Sequence, residues 1–149
     1  MTATAIAELQ DREQIRELLA CYCFLLDARE LDRFAQLFAE DGRWISRNGR
    51  ATGRAAIEAL LHGLVPVPRE GARRKHFTCN VVIELAGDAA QVRSNFLVVR
   101  DSTAGPVIAV AGTYADRLGK INGRWQFLER ELFHDIAGES GLLPGSAAC

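Results

Sequence analysis

Three side chains in this sequence, Asp27, His76 and Arg130, are of the types that together make a proton-transfer site. A histidine titrates close to neutrality and can take a proton from a substrate. An aspartate bonded to it holds the ring in one tautomer and stabilises the imidazolium that forms. An arginine pointing into the same space favours a developing negative charge or an anionic leaving group.

The local settings of the three differ. Asp27 follows the apolar stretch Phe24-Leu25-Leu26 at the end of a helical pattern, where a carboxylate opposes the helix dipole and so hints at another use. His76 begins a long strand, Lys75-His76-Phe77-Thr78-Cys79-Asn80. Alternation places His76, Thr78, Asn80 and Val82 on one face, and Phe77, Cys79, Val81, Ile83 and Leu85 on the other. The second, apolar face is expected to meet the helices or a neighbouring subunit, so the first lies in a polar pocket or in water. Around Arg130, Gln126, Leu128, Leu132 and His134 alternate with Trp125, Phe127, Glu129, Glu131 and Phe133, so both faces mix polar and apolar residues. Arg130 therefore points either into a pocket or outward to Glu129 or Glu131. Asn95, Thr113 and Tyr114 are further candidates for ligand contacts, and His62 reads as a surface or interface residue.

The elements that must position these groups follow from periodicity. Ile15, Leu18, Leu19, Tyr22, Leu25 and Leu26 recur at helical spacing and predict a helix from Ala5 to about Ala28. A second helix is expected from about Glu30 to Ala39, ended by Asp41-Gly42, followed by a short strand over Arg43 to Arg47. Asn48-Gly49 signals a hairpin, with Arg50 to Thr52 pairing back, and a third helix runs from Arg54 to about Leu64. Four long alternating segments follow: Lys75 to Leu85, Ala90 to Arg100, Val107 to Leu118 and Arg124 to Asp135. Gly87-Asp88, Thr103 to Pro106 and Asn122-Gly123 separate them as turns. Helices followed by an antiparallel meander predict one α+β domain over 1–149, with 138–149 as a flexible or partner-docking tail. A strongly bent sheet closed by a helix leaves a cone too wide to fill with side chains, and small molecules bind in such mouths.

Bulk properties exclude several classes. With 149 residues there is room for one core, and a net charge of -1 provides no field for nucleic acid or anionic membrane. The basic cluster Arg69, Arg73, Arg74 and Lys75 is short, interrupted by Glu70, and reads as a solvated loop. No apolar run approaches the ~20 residues that cross a bilayer, and Met1 to Glu8 lacks the features of a signal peptide. Cys21, Cys23, Cys79 and Cys149 read as free thiols, which fits the cytoplasm. No P-loop, dinucleotide fingerprint, nucleophile elbow or H-E-x-x-H is present, and the three histidines lack metal-ligand spacing. Neither cofactor nor metal is expected.

The run Asp11-Arg12-Glu13-Gln14-Ile15-Arg16-Glu17-Leu18-Leu19, then Tyr22, Asp27, Asp32, Phe34 and Leu37-Phe38-Ala39-Glu40-Asp41-Gly42, resembles the SnoaL-like domain. So do Gly53-Arg54-Ala55-Ala56-Ile57, His76-Phe77, Gly112-Thr113-Tyr114 and Gly123-Arg124-Trp125-Gln126-Phe127, in the right order along nearly the whole chain. The resemblance implies the nuclear transport factor 2-like fold, a cone-shaped curved antiparallel sheet with N-terminal helices enclosing a pocket. It also implies roles by position. Asp27 and His76 match the aspartate–histidine pair of scytalone dehydratase and gamma-hexachlorocyclohexane dehydrochlorinase, and Arg130 matches the dehydrochlorinase arginine that assists the leaving group. Tyr22 stands where the dehydrochlorinase has lysine, and Asn95 where scytalone dehydratase has a second histidine. The expected function is a cofactor-independent lyase acting on a small cyclic or aromatic molecule, with Tyr22, Thr78, Asn80, Asn95 and Thr113 binding it. The alternative is a non-catalytic binding or assembly module, like the beta subunits of ring-hydroxylating dioxygenases. A homo-oligomer is expected, a trimer or otherwise a dimer, through an outer apolar face of Phe77, Val81, Ile83, Phe96, Val98 and Ile108.

Overall fold

The first helix, α1 (Ala3–Asp27), starts where the Thr2 hydroxyl accepts the Ala5 N–H at 3.2 Å. Its apolar stripe of Ile15, Leu18, Leu19, Tyr22, Cys23 and Leu26 is buried. Arg29, just beyond its end, has a left-handed φ of 57° and donates to the Val65 and His62 carbonyls. That contact ties the exit of α1 to the end of α3 (Arg54–Leu64). Further up, Arg12 donates to the Ile83 carbonyl at 2.8 Å. Asp11 accepts from Lys120 Nζ and Trp125 Nε1, at 2.7 and 2.9 Å, which holds its carboxyl below the ordinary value. α1 is thereby pinned to the sheet both at an edge strand, through Ile83, and at two inner strands, through Lys120 and Trp125. The structure, a computed structural model, describes residues 2–70 and 73–137.

The second helix, α2, is only Leu31–Ala35, and β1 (Phe38–Ser46) begins where the sequence predicted helix to continue. The reason is tertiary. Phe38 pairs in parallel with Phe127, whose N–H donates to the Leu37 carbonyl at 2.9 Å, and the two rings lie 5.0 Å apart. Gly42, expected to end a helix, instead lies inside β1. A Cβ there would come within 2.8 Å of the Phe127 carbonyl oxygen. The hairpin at Asn48-Gly49 forms as predicted, with β2 (Gly49–Thr52) pairing back on β1.

The long segments form β3 (Arg74–Ala86), β4 (Ala89–Arg100), β5 (Val107–Ile121) and β6 (Arg124–Ala137). The sheet has six strands in the order β2-β1-β6-β5-β4-β3. All neighbours are antiparallel except β1 with β6, so the sheet is mixed and open rather than purely antiparallel. α1 covers the concave side, and the core lies between.

Two bulges overturn the simple alternation read from the sequence. In β3 the register slips between Cys79 and Val82, and Asn80 takes a left-handed φ of 53°. Before the bulge Arg74, His76 and Thr78 turn inward; after it Val81, Ile83 and Leu85 do. In β6 the register slips around Leu128, so Trp125 and Phe127 share the inner side with Arg130, Leu132 and His134. The outer apolar face is accordingly not the one predicted. Ile83, Phe96 and Val98 are in the core and Val81 packs against it, whereas Phe77, Ile108, Phe133 and Ile136 are exposed. The tail 138–149, with Cys149, lies outside the described residues. Cys21, Cys23 and Cys79 are free thiols. No helix among the described residues is long and apolar enough to cross a membrane.

Candidate active site

Asp27 ends α1 and His76 stands three residues into β3, so the covering helix and the edge strand bring together groups 49 positions apart. Asp27 Oδ1 lies 2.7 Å from His76 Nδ1, and the carboxylate also accepts the His76 backbone N–H at 3.1 and 3.2 Å. Side-chain exposure is 7% for Asp27 and 15% for His76. The carboxylate therefore sits at a helix C-terminus, against the dipole, because the strand's N–H and the imidazole compensate it. With Nδ1–H donated to the carboxylate, Nε2 carries the free lone pair. Lys75 Nζ approaches Asp27 from the surface, at 3.8 Å.

Both residues line a cavity of about 100 Å³ under the concave sheet. Its walls are Tyr22, Trp44, Phe96 and Tyr114, and its rim comes from the end of α3 and the following loop, including Leu64, Val65 and Pro66. Trp44 Nε1 donates to the Tyr22 hydroxyl at 3.0 Å. Burial raises the pKa of both phenols, Tyr114 most, so each keeps its proton at neutral pH. A base with a free lone pair thus shares one partly closed, aromatic-walled space with phenolic O–H donors. Among the described residues no three His, Cys, Asp or Glu side chains group as a metal site.

Arg130 is elsewhere. It does not line the cavity but is fully buried, with Nε and Nη2 each 2.7 Å from the Asp116 carboxylate, which is also fully buried. Its guanidinium carbon lies 4.1, 3.9 and 4.4 Å from the ring centres of Tyr22, Tyr114 and Phe127. Burial by itself would lower its pKa, but the Asp116 charge and hydrogen bonds outweigh this and hold it above the ordinary value. It reaches the cavity only through the two tyrosines stacked on it. The β6 bulge is what turns it inward.

The other predicted contact residues separate. Tyr22 lines the cavity. Thr78 faces a groove between α1 and β3, where its hydroxyl meets Cys23 Sγ at 3.3 Å. Asn80 is thrown outward by the β3 bulge, and Asn95, its partner at 3.1 Å, stands on the outer face of β4. Thr113 donates to Asp135 at 2.7 Å, on the opposite side of β5 from Tyr114. The places given to Asn80, Asn95 and Thr113 are taken by residues the sequence reading did not single out: Arg74, Asn48 and His134. Two of them carried a signal. Arg74 is two residues from His76 on the same strand, and His134 shares the alternation frame of Arg130. Asn48 was legible only as a turn residue.

The profile of the SnoaL-like domain matches residues 7–131. The chain belongs to this family. Solved structures with the same fold include a nuclear transport factor 2-like protein with a cystatin-like fold from Novosphingobium aromaticivorans. It is 26% identical with a TM-score of 0.80, and the alignment covers 96% of this chain and 95% of that one. A proposed scytalone dehydratase from the same organism is similar at 27% identity and a TM-score of 0.77, covering 91% of each chain. The beta subunit of a proposed aromatic-ring-hydroxylating dioxygenase, also from that organism, is 20% identical with a TM-score of 0.74, covers 89% of this chain and 94% of that one, and shows likeness of fold alone. No curated protein matches the sequence significantly.

Proposed function

We propose that this SnoaL-like protein is a cofactor-independent lyase that eliminates water or another leaving group from a small cyclic or aromatic molecule. The observation that carries the reading is the 2.7 Å contact of Asp27 with His76 at the wall of the cavity. His76 Nε2 takes the proton from a carbon next to an activating group, and that C–H pair becomes the new double bond. The C–O or C–halogen bond breaks with its electron pair, and the leaving hydroxide or halide receives a hydrogen bond from the Tyr22 O–H. In a dehydration, the proton on His76 then passes to hydroxide, giving water and neutral histidine. Asp27 stabilises the imidazolium in between. A positioned base supplies ~10²–10⁴-fold, and stabilisation of the leaving group a similar factor. Arg130 supports this by holding Tyr22 and Tyr114 in place.

The test is a screen of hydroxylated and halogenated cyclic compounds for elimination, followed by variants. His76→Ala is expected to lower kcat at least ~10²-fold with a smaller change in KM, and Asp27→Asn nearly as much. A double variant no slower than the slower single one marks a unit. Full activity in either single variant would end this mechanism.

One observation favours a second reading. Phe77, Ile108, Phe133 and Ile136 stand exposed on the outer side of the sheet, an apolar surface of the kind that oligomers cover. On this reading the chain binds a ligand or serves assembly, as a homo-oligomer or beside a dioxygenase-type partner. A monomer by light scattering at micromolar concentration would remove it.

A further inference from the structure

The stripe of α1 that faces the edge strand β3 runs through Arg16, Leu19, Ala20, Cys23, Phe24 and Asp27, residues spaced three and four apart. Between this stripe and β3 lies a groove of about 390 Å³, on the other side of Asp27 and His76 from the cavity under the concave sheet. Its floor is closed by buried Leu19 and by the Cys23 thiol, which meets Thr78 Oγ1 at 3.3 Å. Phe24 lines it with 72% exposure, more than any other large apolar side chain among the described residues, and Phe77 lines it from β3, half exposed. Ala20, between them in the groove, is too small to fill it.

An open edge strand ordinarily invites another strand to pair with it. This edge is already occupied. The His76 N–H donates to the Asp27 carboxylate, the Ile83 carbonyl accepts from Arg12, and the bulge at Asn80 breaks the ladder between them. An occupant of the groove must therefore bring apolar surface rather than backbone hydrogen bonds.

Charge fixes which way such an occupant lies. Arg16 reaches the Arg12 carbonyl only at 3.5 Å and pairs with no carboxylate among the described residues. At the far end Lys75 Nζ stands 3.8 Å from Asp27, whose charge would repel a second carboxylate. From Arg16 to Asp27 the helix rises ~16 Å, about the extended length of decanoate.

We propose that this groove binds a straight-chain carboxylate of medium length, its head on the Arg16 guanidinium and its chain along Ala20, Phe24 and Phe77 toward Lys75. A guanidinium takes a carboxylate through two parallel hydrogen bonds, which a lysine cannot reproduce. The chain covers the two phenylalanine rings that α1 and β3 otherwise leave in water. The site does not rest on the lyase reading, since binding there needs no turnover and no contact inside the cavity.

The test titrates decanoate and decanol, alike in chain and different in charge, by ligand-observed NMR at neutral pH. Arg16→Gln is expected to weaken decanoate at least ~10-fold while decanol changes less than ~2-fold, and the unchanged decanol shows that the variant is folded. Arg16→Lys, which keeps the charge and loses the fork, should fall between native and Arg16→Gln. Ala20→Trp, which fills the groove and leaves the cavity alone, should weaken both probes at least ~10-fold with an unchanged thermal unfolding midpoint. No binding of decanoate to the native protein, an unchanged decanoate affinity in Arg16→Gln or in Ala20→Trp, or equal loss of both probes in Arg16→Gln would each overturn the proposal.

Discussion

Two charge pairs hold this molecule together across distant segments, and they do opposite things. Asp27–His76 joins a helix end to an edge strand, each partner keeps some solvent or cavity exposure, and one histidine nitrogen is left over. Arg130–Asp116 joins two central strands, neither partner has any exposure, and three aromatic rings close around the guanidinium. On the proposed reading the first pair exchanges a proton with a ligand, because a titratable group at the cavity wall has an unused lone pair. The second has no void to face and a cation that does not titrate in water. Accessibility, rather than residue type, separates the two pairs.

The largest expected effect breaks the core pair. Arg130→Met leaves Asp116 as a buried carboxylate without a cation and should cost about 3–5 kcal/mol of stability, read from urea unfolding. The double variant Arg130→Met with Asp116→Leu should regain most of that loss, since both charges then leave together. A stable, folded Arg130→Met would contradict the structural role. Next, Asp27→Asn, which can still accept the His76 backbone N–H, should change stability by less than about 1 kcal/mol while abolishing most of the proposed elimination activity. If it unfolds the protein instead, the two pairs are alike and the contrast fails.

The smallest effect concerns pH. The folded-state pKa of His134 lies below its ordinary 6.5, so between the two values the unfolded chain binds the extra proton. Its contribution to stability is present above about 6.5 and is lost as pH falls through the folded pKa. Native and His134→Phe proteins should therefore differ in the acid slope of their unfolding midpoints, with the variant flatter below pH 6.5. Parallel curves would show that burial does not shift this histidine.

Much of the site was legible beforehand. Asp27 stood out as a carboxylate against a helix dipole, and His76 as a polar residue at the start of an apolar strand; family resemblance then paired them. The four long strands, the Asn48-Gly49 hairpin, α1 and α3 follow from periodicity and turn chemistry, which are local properties. Legibility fell where strict alternation was extended through a strand. Thr78 keeps His76's inward direction, but Asn80, on the same predicted face, does not, because the chain gains one residue between them and the partner strand.

The sequence by itself therefore determined α1 and α3, the order of the four long strands in the chain, the family and the types of the candidate site residues, since these patterns depend mostly on neighbours a few residues away. Only the tertiary structure decided which way Asn80, Arg130 and His134 point, that Phe38 begins a strand rather than prolonging a helix, and that Arg130 faces Asp116 instead of the cavity. Bulges are set by how β3 registers on β4 and β6 on β5, and the parallel pairing of β1 with β6 joins segments about ninety residues apart. A one-residue slip in such pairing moves every later side chain to the other face, and no pattern within the strand itself records that slip.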